Sequence, residues 1–209
     1  ARLKPVNSHE LLTLQVFRNL FVSEPLPVGE SFQVKWMALM FTDLGGSTAI
    51  YARKGDPRAY SLVREHFNLI FGAVEEAGGA VVKTIGDAVM AVFQSGALAV
   101  QAALESQQRI EQFNRERNLG DDERLRLKIG LHAGPTLAVT LNDRLDYFGT
   151  VVNAAARVQG LAQHGETVIT AQVLEDSGVQ ALLPADLPRE TIVLRGLDEL
   201  PFEAIRLRD

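Results

Sequence analysis

The sequence contains no cysteine in 209 residues, and this absence excludes disulfide scaffolds, thiolate zinc sites and cysteine nucleophiles. It is also poor in positive charge: 21 Lys and Arg against 26 Asp and Glu give a net charge of −5. A mildly acidic chain without a basic tract is poorly suited to binding nucleic acid through its phosphates. We therefore expect no nucleic-acid partner.

Long apolar runs are also missing. None approaches the roughly 18 residues that a membrane-spanning helix needs, and the first residues lack the apolar core of a signal peptide. We expect this chain to make no membrane contact and to be cytoplasmic, even if the full-length protein is attached to a membrane. Because the sequence begins with Ala1 and not with methionine, we also expect a regulatory domain N-terminal to it.

The remaining composition is typical of a folded domain, with 46% hydrophobic and 22% charged residues. We divide the chain into an N-terminal connecting segment, residues 1–33, and one larger domain, residues 34–209. The connecting segment carries an apolar stretch followed by a proline-containing linker. Two interpretations stay open for it: a helix that packs on the domain or on a neighbour, or a helix that transmits a signal or aids dimerisation.

The order of predicted elements in the larger domain is β-α-β-β-α-β, followed by further strands and a helix. The run at 36–41 is continuously apolar, as in a strand buried on both faces. Apolar residues recur at helical spacing over 63–74, and a hairpin pattern covers 80–93. This order predicts an α+β fold: a ferredoxin-like βαββαβ core with additional C-terminal strands and a helix. We expect the helices on one side of the sheet. The other side would then need a cover, which a second copy of the chain could supply.

Two acidic residues stand out within this pattern. Asp43 ends the first buried strand, and Asp87 follows Gly86 in the turn of the hairpin. Taken singly, Asp43 is explained as a helix cap and Asp87 as a turn residue. Taken together, they lie at neighbouring strands of the predicted core, and two carboxylates at one point repel each other unless a cation lies between them. Divalent cations shared with substrate phosphates prefer such oxygen ligands, which favours two-metal nucleotidyl chemistry.

A glycine pair follows the first of these aspartates and leads toward a predicted helix that Ser47 or Thr48 would cap. Free backbone N–H groups at a helix start suit a triphosphate. Gly45, Gly46, Ser47 and Thr48 are therefore candidate substrate-binding residues, although the same pattern occurs in many loops.

Four segments, in their order and spacing, resemble the class III nucleotidyl cyclase catalytic domains, the family of adenylate and guanylate cyclases. They are residues 41–48 (FTDLGGST), 83–90 (KTIGDAVM), 130–134 (GLHAG) and 146–157, which contains DYFG and VNAAAR. The resemblance covers roughly residues 35–207. It implies the cyclase fold and an active site shared between two catalytic domains.

The resemblance also implies roles for individual residues. Asp43 and Asp87, with the carbonyl of Leu44, match the ligands of two Mg²⁺ or Mn²⁺ ions per site. Lys83 and Asp146 match the pair that reads adenine. Without the resemblance, Lys83 is an edge-strand lysine and Asp146 a turn residue.

Three further residues are implied to act on the sugar and the phosphates. Asn153 and Arg157 match the pair that orients the ribose and stabilises the transition state, and Arg195 lies where a triphosphate contact is expected. Without the resemblance, Asn153 and Arg157 are only two polar residues on one helix face. In the family arrangement the metal ligands come from one partner, while the adenine-reading pair, Asn153 and Arg157 come from the second.

These observations predict a homodimeric adenylate cyclase domain, with two shared sites, that converts ATP to 3′,5′-cyclic AMP and pyrophosphate. The alternatives are a guanylate or relaxed-specificity cyclase, a catalytically silent nucleotide-binding regulatory domain, and a ferredoxin-like interaction module without a nucleotide. Two departures from the family pattern involve Ser47, where an aromatic residue is common, and a compact segment between Gly134 and Asp146. His132 is assigned a structural role near a strand end.

Overall fold

The computed structural model describes residues 13–20, 31–46, 56–141, 144–194, 196–197 and 201–208. The helices are α1 (Gln15–Leu20), α2 (Asp56–Glu76), α3 (Gly96–Glu116), α4 (Thr150–Leu161) and α5 (Ala171–Leu174), with a 3₁₀ turn at Val179–Ala181. The strands are β1 (Ser31–Leu44), β2 (Ala80–Ile85), β3 (Ala88–Phe93), β4 (Leu127–Leu141), β5 (Arg144–Phe148), β6 (Glu166–Thr170), β7 (Arg189–Val193) and β8 (Pro201–Arg208). Within these ranges no helix combines the length and the apolar character needed to cross a membrane.

The described strands form one sheet in the order β2-β3-β1-β4-β6-β8-β7, with β5 paired to the far part of β4. The first four strands are antiparallel neighbours, connected through α2 and α3 as in a ferredoxin-like βαββαβ unit. Strand β6 then adds in parallel to β4, and β8 and β7 complete that side. The predicted α+β class, core and C-terminal additions are confirmed.

Strand β1 lies at the centre of this sheet, and its apolar residues alternate between two cores. Ala38 and Met40 pack with α2 and α3, while Leu39 and Phe41 pack in a second cluster with α4. The prediction that the helices lie on one side of the sheet is therefore wrong. Helix α4 covers the opposite face because a strand that is apolar at every position needs a partner on both sides.

Strand β4 also differs from its prediction, because α4 packs on its second face. Apolar residues alternate with Arg126, Lys128 and Gly130 over 125–131, a pattern that predicts one buried face, but the strand is buried continuously from 129 to 134. At Gly130 the backbone of α4 lies directly on the strand: a Cβ there would come within 2.2 Å of the Gln159 backbone nitrogen. The glycine that looked like the exposed side of an alternating strand is instead the point of contact with a helix.

Part of the N-terminal segment packs on the domain. The side-chain oxygen Oε1 of Gln15 accepts a hydrogen bond of 2.7 Å from the backbone N–H of Val81 in β2. This contact agrees with the interpretation of a helix that packs on the domain. The division of the chain at residue 33 stays a prediction.

His132, in β4, is almost completely buried, with 3% of its surface exposed. Its Nδ1 lies 2.8 Å from Oγ1 of Thr170, and its ring meets the edge of Phe202. Burial lowers the pKa of His132 from 6.5 to about 4, so the ring is neutral at pH 7. These contacts agree with the structural role expected for this residue.

The lowered pKa of His132 predicts a loss of stability in mild acid. Below pH 6.5 the unfolded chain binds a proton that the folded chain binds only near pH 4, so stability falls as the pH drops through this window. From pH 7 to pH 5 the free energy of unfolding should fall by about 2 kcal/mol more in the wild type than in His132→Gln. Urea denaturation at both pH values measures the difference. The exposed His164 supplies the control, since His164→Gln should keep the full decrease; equal decreases in all three proteins would contradict the prediction.

Candidate active site

Asp43 and Asp87 lie at the same end of two paired strands. The last pair in the β1–β3 ladder is Thr42 with Val89, so Asp43 follows the ladder on one strand and Asp87 precedes it on the other. The hydroxyl of Thr42 accepts a 3.2 Å hydrogen bond from the backbone N–H of Val89. The structure therefore brings the two predicted metal ligands to one end of the sheet centre.

His66, on the inner face of α2, holds the turn that carries Asp87. The ring is completely buried, with Nε2 3.0 Å from the backbone oxygen of Asp87 and Nδ1 against the carbonyl of Val63. Burial lowers the pKa of His66, although the two carbonyls and the charges of Asp87 and Asp43 act in the opposite direction. Sequence reasoning missed this residue; its position between the apolar residues Val63 and Phe67 was the available signal.

Lys128 is the cationic neighbour of Asp43. The two residues are directly paired across the β1–β4 ladder, and Nζ of Lys128 lies 3.5 Å from Oδ2 of Asp43. Both side chains are partly exposed, at 25% and 32%. Lys128 was also missed, because the sequence pattern placed it on the exposed side of an alternating strand without indicating what lay opposite.

The donors at this end of the sheet fit a hard divalent cation. Two carboxylates, of Asp43 and Asp87, are available, and the predicted third donor is the backbone carbonyl of Leu44. In the part of the chain that the structure describes, no group of three or more His, Asp or Glu side chains is arranged to hold an ion. Magnesium keeps several waters when it is bound and is usually shared between one or two carboxylates and substrate phosphates.

The first glycine after Leu44 is a position of close approach. The N–H of Gly45 donates a 2.8 Å bond to the carbonyl of Arg126, and a Cβ at Gly45 would come within 2.4 Å of the His164 ring. Gly46 follows with φ of 80°, a conformation that favours glycine. The predicted phosphate-binding residues Ser47 and Thr48 lie outside the described residues.

Lys83 and Asp146 form an ion pair, with 2.5 Å between Nζ and Oδ2. The carboxylate is mostly buried, with 8% of the side chain exposed, whereas the lysine side chain is 39% exposed. The other carboxylate oxygen, Oδ1, accepts a 2.8 Å hydrogen bond from the backbone N–H of Tyr147. The structure thus joins the two residues that the resemblance assigned to one base, although they come from different parts of the sheet.

Asn153 and Arg157 lie on the exposed side of α4, four residues apart, while Ala154, Ala155 and Val158 turn inward. A Cβ at Gly196 would come within 3.1 Å of Nη1 of Arg157, so the turn before β8 passes close to the guanidinium. Arg195 lies outside the described residues. Among those described, no hydrogen bond or ion pair joins Asn153 or Arg157 to the aspartates at the end of β1 and β3.

Comparison with known proteins identifies the family. The sequence matches the family described as the adenylate and guanylate cyclase catalytic domain over residues 30–183, and the chain belongs to this family. It is 30% identical over 199 residues to an adenylate cyclase from Anabaena cylindrica, covering 87% of this chain and 40% of that protein's length.

Solved structures agree with this assignment. An adenylate cyclase from Trypanosoma brucei, described in its monomeric state, superposes with a TM-score of 0.67 at 26% identity, covering 83% of this chain and 90% of that one. A dimeric guanylyl cyclase domain from the fungus Blastocladiella emersonii shares the fold, with a TM-score of 0.66 at 18% identity, covering 84% of this chain and 96% of that one. The description of the family names both adenylate and guanylate cyclases.

The pairing of Lys128 with Asp43 predicts an effect on metal binding. An ammonium group within 3.5 Å of a carboxylate repels a divalent cation that approaches the same oxygen. Lys128→Met should therefore tighten Mn²⁺ binding about threefold to tenfold in the absence of nucleotide. Electron paramagnetic resonance of free Mn²⁺ measures the dissociation constant. Lys128→Arg keeps the charge and should leave it close to wild type; an unchanged or weaker affinity in Lys128→Met would contradict the electrostatic role.

Proposed function

We propose that this domain is an adenylate cyclase, which converts ATP to 3′,5′-cyclic AMP and pyrophosphate. The observation that carries the proposal is the ion pair of Lys83 and Asp146. These two side chains offer one donor and one acceptor side by side. Adenine presents the complementary set, an acceptor at N1 and a donor at N6.

Guanine would be poorly matched by the same pair. It presents an N–H and a carbonyl at the corresponding positions, so the ammonium of Lys83 would face a donor and the carboxylate of Asp146 an acceptor. Polar groups that are desolvated and left unpaired discriminate strongly between substrates. The low exposure of the Asp146 side chain, 8%, makes such a mismatch costly, because little water can reach the carboxylate.

The remaining predicted residues act on the ribose and the phosphates. Asp43 and Asp87, with the Leu44 carbonyl, would hold two Mg²⁺ or Mn²⁺ ions. When bound, these ions lower the pKa of the attacking 3′-hydroxyl and neutralise the leaving pyrophosphate. Asn153 would orient the ribose, and the guanidinium of Arg157 would donate hydrogen bonds to the α-phosphoryl oxygens as negative charge builds there.

A second copy of the chain is part of this proposal. Exposed apolar side chains lie next to the base-reading pair: Leu137 of β4 and Phe148 of β5 face each other across the ladder and are 41% and 48% exposed. Phe148 is two residues from Asp146, and therefore on the same side of β5. An exposed apolar pair beside a candidate site is typical of an interaction surface, and a partner there would complete the site with its own metal ligands.

The guanylate or relaxed-specificity cyclase remains the second candidate, since the family includes the guanylyl cyclase domain from Blastocladiella emersonii. The catalytically silent regulatory domain is less well supported, because every implied residue type is present in the sequence. Assay of both nucleotides with Mn²⁺ distinguishes the three. An adenylate cyclase gives cyclic AMP alone, a guanylate or relaxed-specificity cyclase gives cyclic GMP alone or both products, and a silent domain gives neither.

Exchange of the base-reading pair should change the substrate preference. Lys83→Glu combined with Asp146→Ser replaces the donor and acceptor with a set closer to the complement of guanine. The ratio of kcat/KM for ATP to that for GTP should fall at least about 100-fold. The matched control is the exposed ion pair at the opposite edge of the sheet, where Nη1 of Arg189 lies 3.3 Å from Oε2 of Glu203. Arg189→Glu with Glu203→Ser should leave the ratio unchanged; a similar change in both double variants, or in neither, would count against base recognition by Lys83 and Asp146.

A shared active site predicts complementation between inactive chains. Asp43→Ala and Arg157→Ala should each be nearly inactive, because both sites of either homodimer carry the lesion. After subunit exchange about half of the dimers are heterodimers by random pairing, and each contains one intact site. The mixture should therefore recover roughly a quarter of wild-type activity. Exchange is verified separately with fluorescently labelled chains. If labelled chains exchange and the mixture stays inactive, the two residues do not act in a site shared between chains.

A further inference from the structure

Arg18, in the short helix α1, is bound to two strands of the catalytic domain. Its Nη2 donates a 2.8 Å hydrogen bond to the carbonyl of Leu145 in β5 and a longer one, 3.4 Å, to the carbonyl of Val82 in β2. Those two carbonyls belong to the residues that directly precede Asp146 and Lys83. One guanidinium therefore contacts the backbone next to each member of the base-reading pair.

The two strands do not otherwise belong together in the sheet. In the hydrogen-bond order, β3, β1 and β4 separate β2 from β5. They nevertheless approach each other on one face, where Val82, Leu145 and Tyr147 pack in the same apolar cluster. No ladder fixes the spacing between these strands, so it depends on side-chain contacts across the gap.

Arg18 is suited to fixing that spacing. A guanidinium is planar and always charged, so the two N–H groups of Nη2, the nitrogen that donates both bonds, diverge at a fixed angle toward the two carbonyls. The carbon Cζ of Arg18 also lies 5.8 Å from the ring centroid of Tyr147, within the range of a cation–π contact. The backbone N–H of Tyr147 in turn donates to Oδ1 of Asp146. Arg18 therefore contacts both residues that flank Asp146 in the sequence, Leu145 and Tyr147.

We propose that Arg18 is a positioning residue for purine selection, which sets the separation of β2 and β5 and thereby the geometry of Lys83 and Asp146. The proposal rests on the proposed function, since it assumes that this pair reads adenine. Lys83 is the more exposed member of the pair, and its ammonium can meet adenine N1 only while its strand stays at a fixed distance from Asp146. Residues that lie N-terminal to the catalytic core would then help to determine which nucleotide is used.

The experiment compares two arginines that each contact an aromatic ring. Arg18→Gln should lower the ratio of kcat/KM for ATP to that for GTP about fivefold to tenfold, mostly through ATP. Arg117, at the end of α3, lies 5.3 Å from the Phe113 ring centroid and is exposed, so Arg117→Gln should leave the ratio unchanged. Arg18→Lys keeps the charge but not the planar geometry of the guanidinium, and it should give an intermediate ratio. Thermal unfolding of each variant shows that folded protein is being compared.

A double-mutant cycle separates this proposal from a general effect on stability. If Arg18 acts through Lys83, then Arg18→Gln should change the ATP:GTP ratio of the Lys83→Met variant less than twofold. An equal loss of activity toward both nucleotides in Arg18→Gln would assign the residue to fold stability alone and overturn the proposal. If Lys83→Met itself leaves the ratio unchanged, the base-reading role fails, and the role of Arg18 fails with it. If only Lys83→Met changes the ratio, the proposed function stands and the inference about Arg18 is wrong.

Discussion

The burial of β1 on both faces is the constraint on which the rest of this structure depends. A strand in which Ala38, Leu39, Met40 and Phe41 are all shielded from water must lie between two layers. That requirement places α2 and α3 on one side and α4 on the other, and it makes β1 the centre of the sheet. Asp43 is the first residue after this run that is not fully buried, so a carboxylate becomes available at that point of the strand.

Much of the fold was predictable because its elements are encoded locally. The helical spacing of Val63, Ile70 and Val74 and the hairpin around Gly86 are visible within short windows of sequence, and the structure contains both elements. The side of the sheet that α4 occupies was not predictable in this way. It depends on Gly130 lying against Gln159, two residues whose proximity no local pattern indicates.

The same distinction between local patterns and contacts of distant segments applies to the candidate site. Its carboxylates and the proposed base-reading pair were predicted from motifs in contiguous segments, and the structure brings Lys83 and Asp146 into contact. The residues that hold these groups were not identified. His66 and Lys128 each reach the site from another element, so their roles emerge only when the chain is folded.

Two carboxylates of the candidate site each have a lysine as a neighbour. Asp43 lies beside Lys128, and Asp146 lies beside Lys83. Each pair allows a carboxylate to be held partly out of water without the full penalty of an isolated charge. A ligand that enters must therefore compete with contacts that are already made. A cation at Asp43 would compete with the ammonium of Lys128, and an uncharged base would have to separate Lys83 from Asp146.

The contact at Gly130 limits how far α4 can shift relative to β4. A helix that rests on side chains can shift when those side chains change rotamer, but α4 rests on the backbone of β4, where a Cβ would come within 2.2 Å. Asn153 lies six residues from Gln159, about 9 Å along the helix axis, and Arg157 only about 3 Å. A small tilt of α4 about this contact therefore displaces Arg157 least and Asn153 more. Arg157, the group proposed to meet developing charge, therefore lies closer to the contact than Asn153 does.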